Sequence, residues 1–271
     1  MDKKRVVMAI IGIPVVGLIL TCGNQIIIDV FTTIIAILAM KEYFIAISKK
    51  GIKPIKWIGY SSCLLILLEH IFFSIDSIEI KQYILILILP IILSLGFLQV
   101  IISNMKTNMN DMIYTIFGII YIVFSLFFMT LIRSLDKGQI LIWYFIIASW
   151  GTDIFAYIIG KKIGKHKLSK ISPNKSIEGC ITGVIGAVLV AIIYTLIVAH
   201  FGYIYSYYKI IYTTILLSVI SQLGDFAASC IKRYVDIKDY GKMIPGHGGV
   251  LDRIDSMMYI APFAYIMLKI L

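Results

Sequence analysis

Aspartates, basic residues and glycines crowd one stretch of this 271-residue chain, Ser229 to Asp255, in a mixture suited to handling phosphate and a metal ion. Asp225 stands just before it, in Ser221-Gln-Leu-Gly-Asp225-Phe-Ala-Ala-Ser229. If a helix continues through this region, Asp225, Ser229, Lys232 and Arg233 fall at i, i+4, i+7 and i+8, and one face carries a carboxylate, a hydroxyl and two cations. A carboxylate in an apolar helix is costly and by default faces a polar cavity, which makes Asp225 a functional candidate; the alternative is a plain ion pair with Lys232 or Arg233. Lys238-Asp239, Pro245-Gly-His-Gly-Gly249 and Asp252-Arg253-Ile254-Asp255 follow. Glycines at 246, 248 and 249 permit positive φ and bring backbone N–H groups close to an oxyanion, and the helix start after them favours negative charge. That suits a polyphosphate. Asp252 and Asp255, at i and i+3, share a face, so three carboxylates could converge with Asp225 from two neighbouring helices. Hard oxygen ligands of this kind suit Mg²⁺, which takes one or two carboxylates plus substrate phosphates.

Other residues have weaker claims. His247 is an acid/base group, a phosphate donor or simply a turn histidine bonded to backbone. Trp150-Gly-Thr-Asp153-Ile-Phe-Ala-Tyr157 puts Asp153, Tyr157 and Lys161 on one helix face, and Asp153 reads either as functional or as half of an interhelical ion pair. In the basic segment 160–179, Ser172 and Lys175 could hold phosphates, while Ser176 and Glu178 could cap the next helix; the two readings are compatible. Glu42, Glu69 and His70 receive no role.

The elements that position these groups follow from composition. The chain is 60% hydrophobic and 15% charged, with mean hydropathy +0.95, against about 45–50% and about 25% in soluble domains. Repeated apolar runs of about 20 residues can each cross a hydrocarbon core. The expected fold is an all-α polytopic membrane protein of about nine transmembrane helices, over 6–22, 25–47, 57–75, 82–103, 112–132, 139–160, 177–199, 208–230 and 254–271. It forms a single membrane domain over 1–271: N-terminal spans in 1–135, catalytic C-terminal spans in 136–271, and cytoplasmic loops at 160–179 and 231–253. Met1 to Cys22 has the basic start of a signal peptide but no A-x-A site, and reads as a retained first span. Of the 25 Lys and Arg residues, 20 fall on the side shared by the N-terminus and both polar loops. The positive-inside rule makes that side cytoplasmic and puts the C-terminus outside. The net charge of +10 is therefore a topology signal first, and no basic run has the interleaved aromatics of a single-strand binder, so no nucleic-acid partner is expected. Four scattered cysteines, Cys22, Cys63, Cys180 and Cys230, argue neither for disulfides nor for zinc.

The run S-C-I-K-R-Y-V-D-I-K-D-Y-G-K-M-I-P-G-H-G-G-V-L-D-R-I-D resembles the signature of the phosphatidate cytidylyltransferases, or CDP-diacylglycerol synthases. W-G-T-D-I-F-A-Y, G-K-K-I-G-K-H-K-L and S-P-N-K-S-I-E-G are similar to that family's central block in order and spacing, with Asn174, Ser176 and Ile177 departing from it. The resemblance is close over about 150–256. It implies an all-helical homodimer, integral to the cell membrane with its active site facing the cytoplasm, that converts CTP and phosphatidic acid to CDP-diacylglycerol and pyrophosphate with Mg²⁺. It also implies that Asp225 and Asp252 are metal ligands. Together with the reading of the residues, this assigns Asp225, Asp252 and Asp255 to metal, and Lys232, Arg233, Lys238 and Arg253 to triphosphate or lipid phosphate. Ser172, Lys175 and Ser229 would bind substrate, and His247 with Gly246, Gly248 and Gly249 would orient the polyphosphate. Asp239 either orients Lys238 or completes a second metal site. A cytidylyltransferase for another lipid phosphate is the nearest alternative. An ion or solute transporter is a remote one, since no inverted repeat is visible.

Overall fold

The computed structural model describes residues 14–68, 78–169, 171–173, 175–243 and 248–271, with backbone alone over 78–86. Among these, the regular structure is helical, and one isolated antiparallel bridge joins Lys167 to Ser176. In chain order the helices are α1 (Gln25–Ser48), α2 (Lys56–Cys63), α3 (Ile78–Ile102), α4 (Met109–Arg133), α5 (Gly138–Ile163), α6 (Ile177–His200), α7 (Tyr207–Tyr234) and α8 (Leu251–Lys269). Five of them, α1 and α4 to α7, are long and apolar enough to cross a membrane. Residues 14–22 of the expected first span are helical, and its residues 6–13, like 69–75 of the third, lie outside the described residues.

Local chemistry sets several boundaries. Asn24 caps α1 by accepting from the Ile27 N–H at 2.9 Å, and Asn108 with Asp111 forms a reciprocal capping box on α4. Two long helices carry a π-helical turn, Ile119–Phe124 in α4 and Ile147–Gly151 in α5. Such turns hold one extra residue and recur at functional sites. The second lies immediately before Thr152 and Asp153.

The described residues form two compact units, one running to Thr130 and including Val235–Asp252, the other comprising Leu131–Tyr234 and Arg253–Leu271. In the first unit, Phe44 and Tyr43 of α1 fill the spaces left by Gly59 on α2 and Gly118 on α4, and the Tyr43 hydroxyl donates to the Tyr114 carbonyl at 3.0 Å. These contacts fix the C-terminal end of α1. The segment 235–252, expected from the sequence as a loop of the C-terminal half, is part of this unit.

In the second unit, small residues let helices approach closely, the usual device where lipid removes a hydrophobic drive between helices. Gly183 and Gly186 of α6 abut Thr152 and Phe155 of α5, and Gly224 of α7 abuts Ser256 and Tyr259 of α8. The opposite face of α6 carries Ile181, Ile185, Leu189, Ile193 and Ile197, each more than half exposed at four-residue spacing. An apolar stripe with no protein neighbour is what a lipid-facing surface requires.

Candidate active site

Three aspartates on three helices of the second unit come together. The π turn of α5 delivers Asp153, the close crossing at Gly224 brings Asp225 of α7 beside the first turns of α8, and Asp255 sits there, 7% exposed. The Ser256 hydroxyl donates to Asp153 Oδ2 at 3.0 Å, and Asp255 Oδ1 accepts from the Ser256 N–H at 2.9 Å. Asp153 and Asp225 both bear electrostatically on Asp255, as does Lys232, while Lys175 and Arg253 bear on Asp153. Lys175 forms an ion pair with Asp225, and its ammonium lies 4.5 Å from the centre of the Phe226 ring. Excess like charge is thus held in place by a few cations. Among the described residues, no three His, Cys, Asp or Glu side chains close around a single point.

The loop that supplies Lys175 is folded rather than slack. Leu168 N–H donates to the Lys175 carbonyl at 3.0 Å and Ile177 N–H to the His166 carbonyl at 2.9 Å, forming a narrow hairpin closed by the Lys167–Ser176 bridge. The Ser176 hydroxyl caps α6 by accepting from the Gly179 N–H, and Glu178 accepts from the backbone of Lys165 and His166 and contacts His166 Nδ1 at 2.6 Å. The capping reading of Ser176 therefore holds, and the same cap presents Lys175 to Asp225. Ser172 is half-buried beside it, and Arg233 Nε donates to the Ile171 carbonyl at 3.4 Å. Helix α7 runs through Tyr234, so Asp225, Ser229, Lys232 and Arg233 do share one continuous helix, with Ser229 buried and Arg233 exposed.

The second group belongs to the first unit. Lys238 and Asp239 are exposed, and Gly248 takes φ +88°, where a side chain would be strained and would crowd Asp252 Oδ2 and Asp239 Cβ. Asp252 Oδ2 accepts two backbone bonds, from Tyr240 N–H at 2.8 Å and Gly249 N–H at 3.0 Å. Its carboxylate, 8% exposed, therefore draws the two ends of the loop together. Glu42 of α1, 4% exposed, accepts from Val250 N–H at 3.1 Å and Leu251 N–H at 2.9 Å. Gly246 and His247 lie outside the described residues. Arg253 is exposed at the start of α8.

Two residues gain importance over the sequence reading. Asp153, noted as a candidate but left out of the metal set, sits with Asp225 and Asp255. Glu42 had no role, although an acid inside an apolar run was itself a signal.

The sequence profile described as the Cytidylyltransferase family matches residues 3–271. The chain is similar to the phosphatidate cytidylyltransferase of Bacillus subtilis (strain 168), 35% identical over 89% of each chain. It is also similar to those of Staphylococcus haemolyticus (strain JCSC1435), 33% identical, and Staphylococcus aureus (strain COL), 32% identical, each over 98% of both chains.

Proposed function

Because this chain belongs to the cytidylyltransferase family, we propose that it joins CTP to phosphatidic acid, forming CDP-diacylglycerol and releasing pyrophosphate in phospholipid biosynthesis. The observation that carries the reading is similarity over almost the full length of proteins with that named activity, combined with aspartates and lysines gathered where an apolar protein has little reason to keep them.

The chemistry needs no dedicated base. The second pKa of a phosphate monoester is about 6, so the phosphatidate oxygen is largely ionised at neutral pH. That oxygen attacks the α-phosphorus of CTP, the bond to the β-phosphate bridging oxygen breaks, and pyrophosphate leaves with the electron pair. The protein's task is positioning and charge neutralisation. Lys232, Arg233, Lys238 and Arg253 supply positive charge to the phosphates, Lys175 reaches them from the hairpin with Ser172 beside it, and Ser229 on α7 adds a hydroxyl for the substrate. Asp239 steadies Lys238 or serves a second metal ion.

Asp225 and Asp255 lie close enough to act on one another and offer hard carboxylate oxygens, the kind of ligand that Mg²⁺ combines with substrate phosphates. Asp225, Asp252 and Asp255 are the proposed ligands, and the two N–H groups on Asp252 Oδ2 orient its carboxylate as an outer shell does in metal sites. When bound, the ion neutralises charge building up on the reacting and departing phosphate oxygens.

Nine spans, a cytoplasmic N-terminus and site, an external C-terminus and a homodimer complete the proposal, supported by the Lys/Arg asymmetry and the family resemblance. Purified protein with Mg²⁺, CTP and phosphatidic acid should yield CDP-lipid and pyrophosphate in equal amounts. Product with another lipid phosphate and none with phosphatidic acid would move the substrate assignment, and ion flux in liposomes without product would overturn the enzyme reading.

A further inference from the structure

The glycine turn before α8 looks from its sequence like a backbone cradle for phosphate, yet the amides of Gly249, Val250 and Leu251 already have carboxylate partners. Val250 and Leu251 donate to the two oxygens of Glu42, and Gly249 donates to Asp252. A helix N-terminus with two N–H groups aimed at one carboxylate is an occupied anion site. The glycines fit that occupant as well. A Cβ on Gly241 or on Gly249 would strike the Glu42 carboxylate, so both are small because Glu42 lies against them. Eight residues after Glu42, just past the end of α1, Lys50 pairs with Asp236 at 2.7 Å, fastening the opposite end of the same segment.

We propose that Glu42 is the positioning residue of the triphosphate-binding loop: an internal carboxylate, contributed 208 residues away in sequence, that fills the α8 N-terminus and fixes the loop's backbone. On this account Gly241 and Gly249 serve Glu42, and the amides of Gly249, Val250 and Leu251 do not bind phosphate. The triphosphate is recognised by side chains along the loop, Lys238 and Arg253 among them. Buried and accepting two N–H bonds, Glu42 acts on the reaction only through the loop. This rests on the CTP-dependent reading of the site, and it adds which atoms the nucleotide does not touch.

Glu42→Gln preserves shape but turns an NH₂ towards one of the two donors, removing one bond and leaving a buried N–H unpaired. Hydrogen exchange of the peptide spanning 248–252 should be slow in the wild type and roughly tenfold or more faster in Glu42→Gln. The KM for CTP should rise by roughly tenfold, while the KM for phosphatidic acid stays within about twofold. Glu42→Asp, one methylene shorter, should recover part of the protection and part of the CTP affinity together. Exchange unchanged in Glu42→Gln overturns the proposal, and so does a parallel loss for both substrates that tracks the unfolded fraction.

Should Glu42→Gln fail to fold, the wild type decides. CTP with Mg²⁺ should leave the 249–251 amides as protected as before, because their acceptors are internal. New protection there would mean that phosphate takes these amides, and the proposal fails. The exchange measurements do not depend on turnover. A protein that makes no CDP-lipid but shows the Glu42-dependent protection would lose the enzyme reading and keep the loop geometry.

Discussion

Glu42 and Asp252 direct their oxygens at backbone N–H groups, whereas Asp153 and Asp225 face a hydroxyl, lysine and arginine, and Asp255 combines one backbone N–H with the charges of Asp153, Asp225 and Lys232. The residue chemistry is the same in both places, and so is the deep burial of Glu42 and Asp255. What differs is how the negative charge is balanced. Neutral amide donors that belong to the fold are always present, so carboxylates balanced by them hold shape. Carboxylates balanced by mobile cations can exchange those cations for others. The first pattern holds the loop in shape and orients Asp252 for its proposed place beside the metal ion, and the second leaves carboxylates whose cations can be exchanged, as the proposed site requires.

Mutations should separate the two groups. The largest effect is expected for Asp225→Asn and Asp255→Asn, which keep volume but remove a charged ligand: CDP-lipid formation should fall by at least about 10²–10³, with the protein still folded in the membrane. Near-normal turnover in either would break the comparison from the catalytic side. Asp252→Asn should also abolish turnover if Asp252 ligates metal through its oriented carboxylate, and hydrogen exchange at Tyr240 and Gly249 would show how much of the loss is the loop.

Gly249→Ala comes next. Its Cβ meets the Glu42 carboxylate, so thermal unfolding should report destabilisation of about 1–3 kcal/mol, the usual range for overpacking. Lys175→Met removes the cation from Asp225 without changing the fold of the hairpin, whose bonds are made by backbone. Mn²⁺ binding, measured by spectroscopy, should tighten as Asp225 loses its internal partner, while the KM for CTP rises by roughly tenfold. The smallest effect belongs to Lys50→Ala. With Asp236 79% exposed, the pair is worth less than about 1 kcal/mol, and the melting temperature should barely move.

Much of this was legible in the chain. The spans expected at 25–47, 177–199 and 208–230 match α1, α6 and α7 closely, because apolar runs bounded by Asn24, Ser176 and polar loops leave little freedom. Asp225 and its i+4, i+7 and i+8 companions were predictable because helix periodicity is local. Glu42 was not, because its donors are two backbone amides in another part of the chain, and no side-chain pattern records them. Nor can a sequence say whether a glycine opens space for a ligand or for a neighbouring helix's carboxylate, since both leave the same residue. Asp153 was visible as an oddity, but its partners Ser256 and Asp255 lie on a helix about a hundred residues later.

The π turn over Ile147–Gly151 has one further consequence, for how this protein can vary. Each residue advances a helix by about 100°. Closing the turn to ordinary α-helix with every residue kept would leave the hydropathy of α5 untouched and swing Asp153 by about that angle relative to the residues before it. Apolar side chains there can be exchanged for one another with little penalty, provided that the turn stays open or gives up its extra residue as it closes.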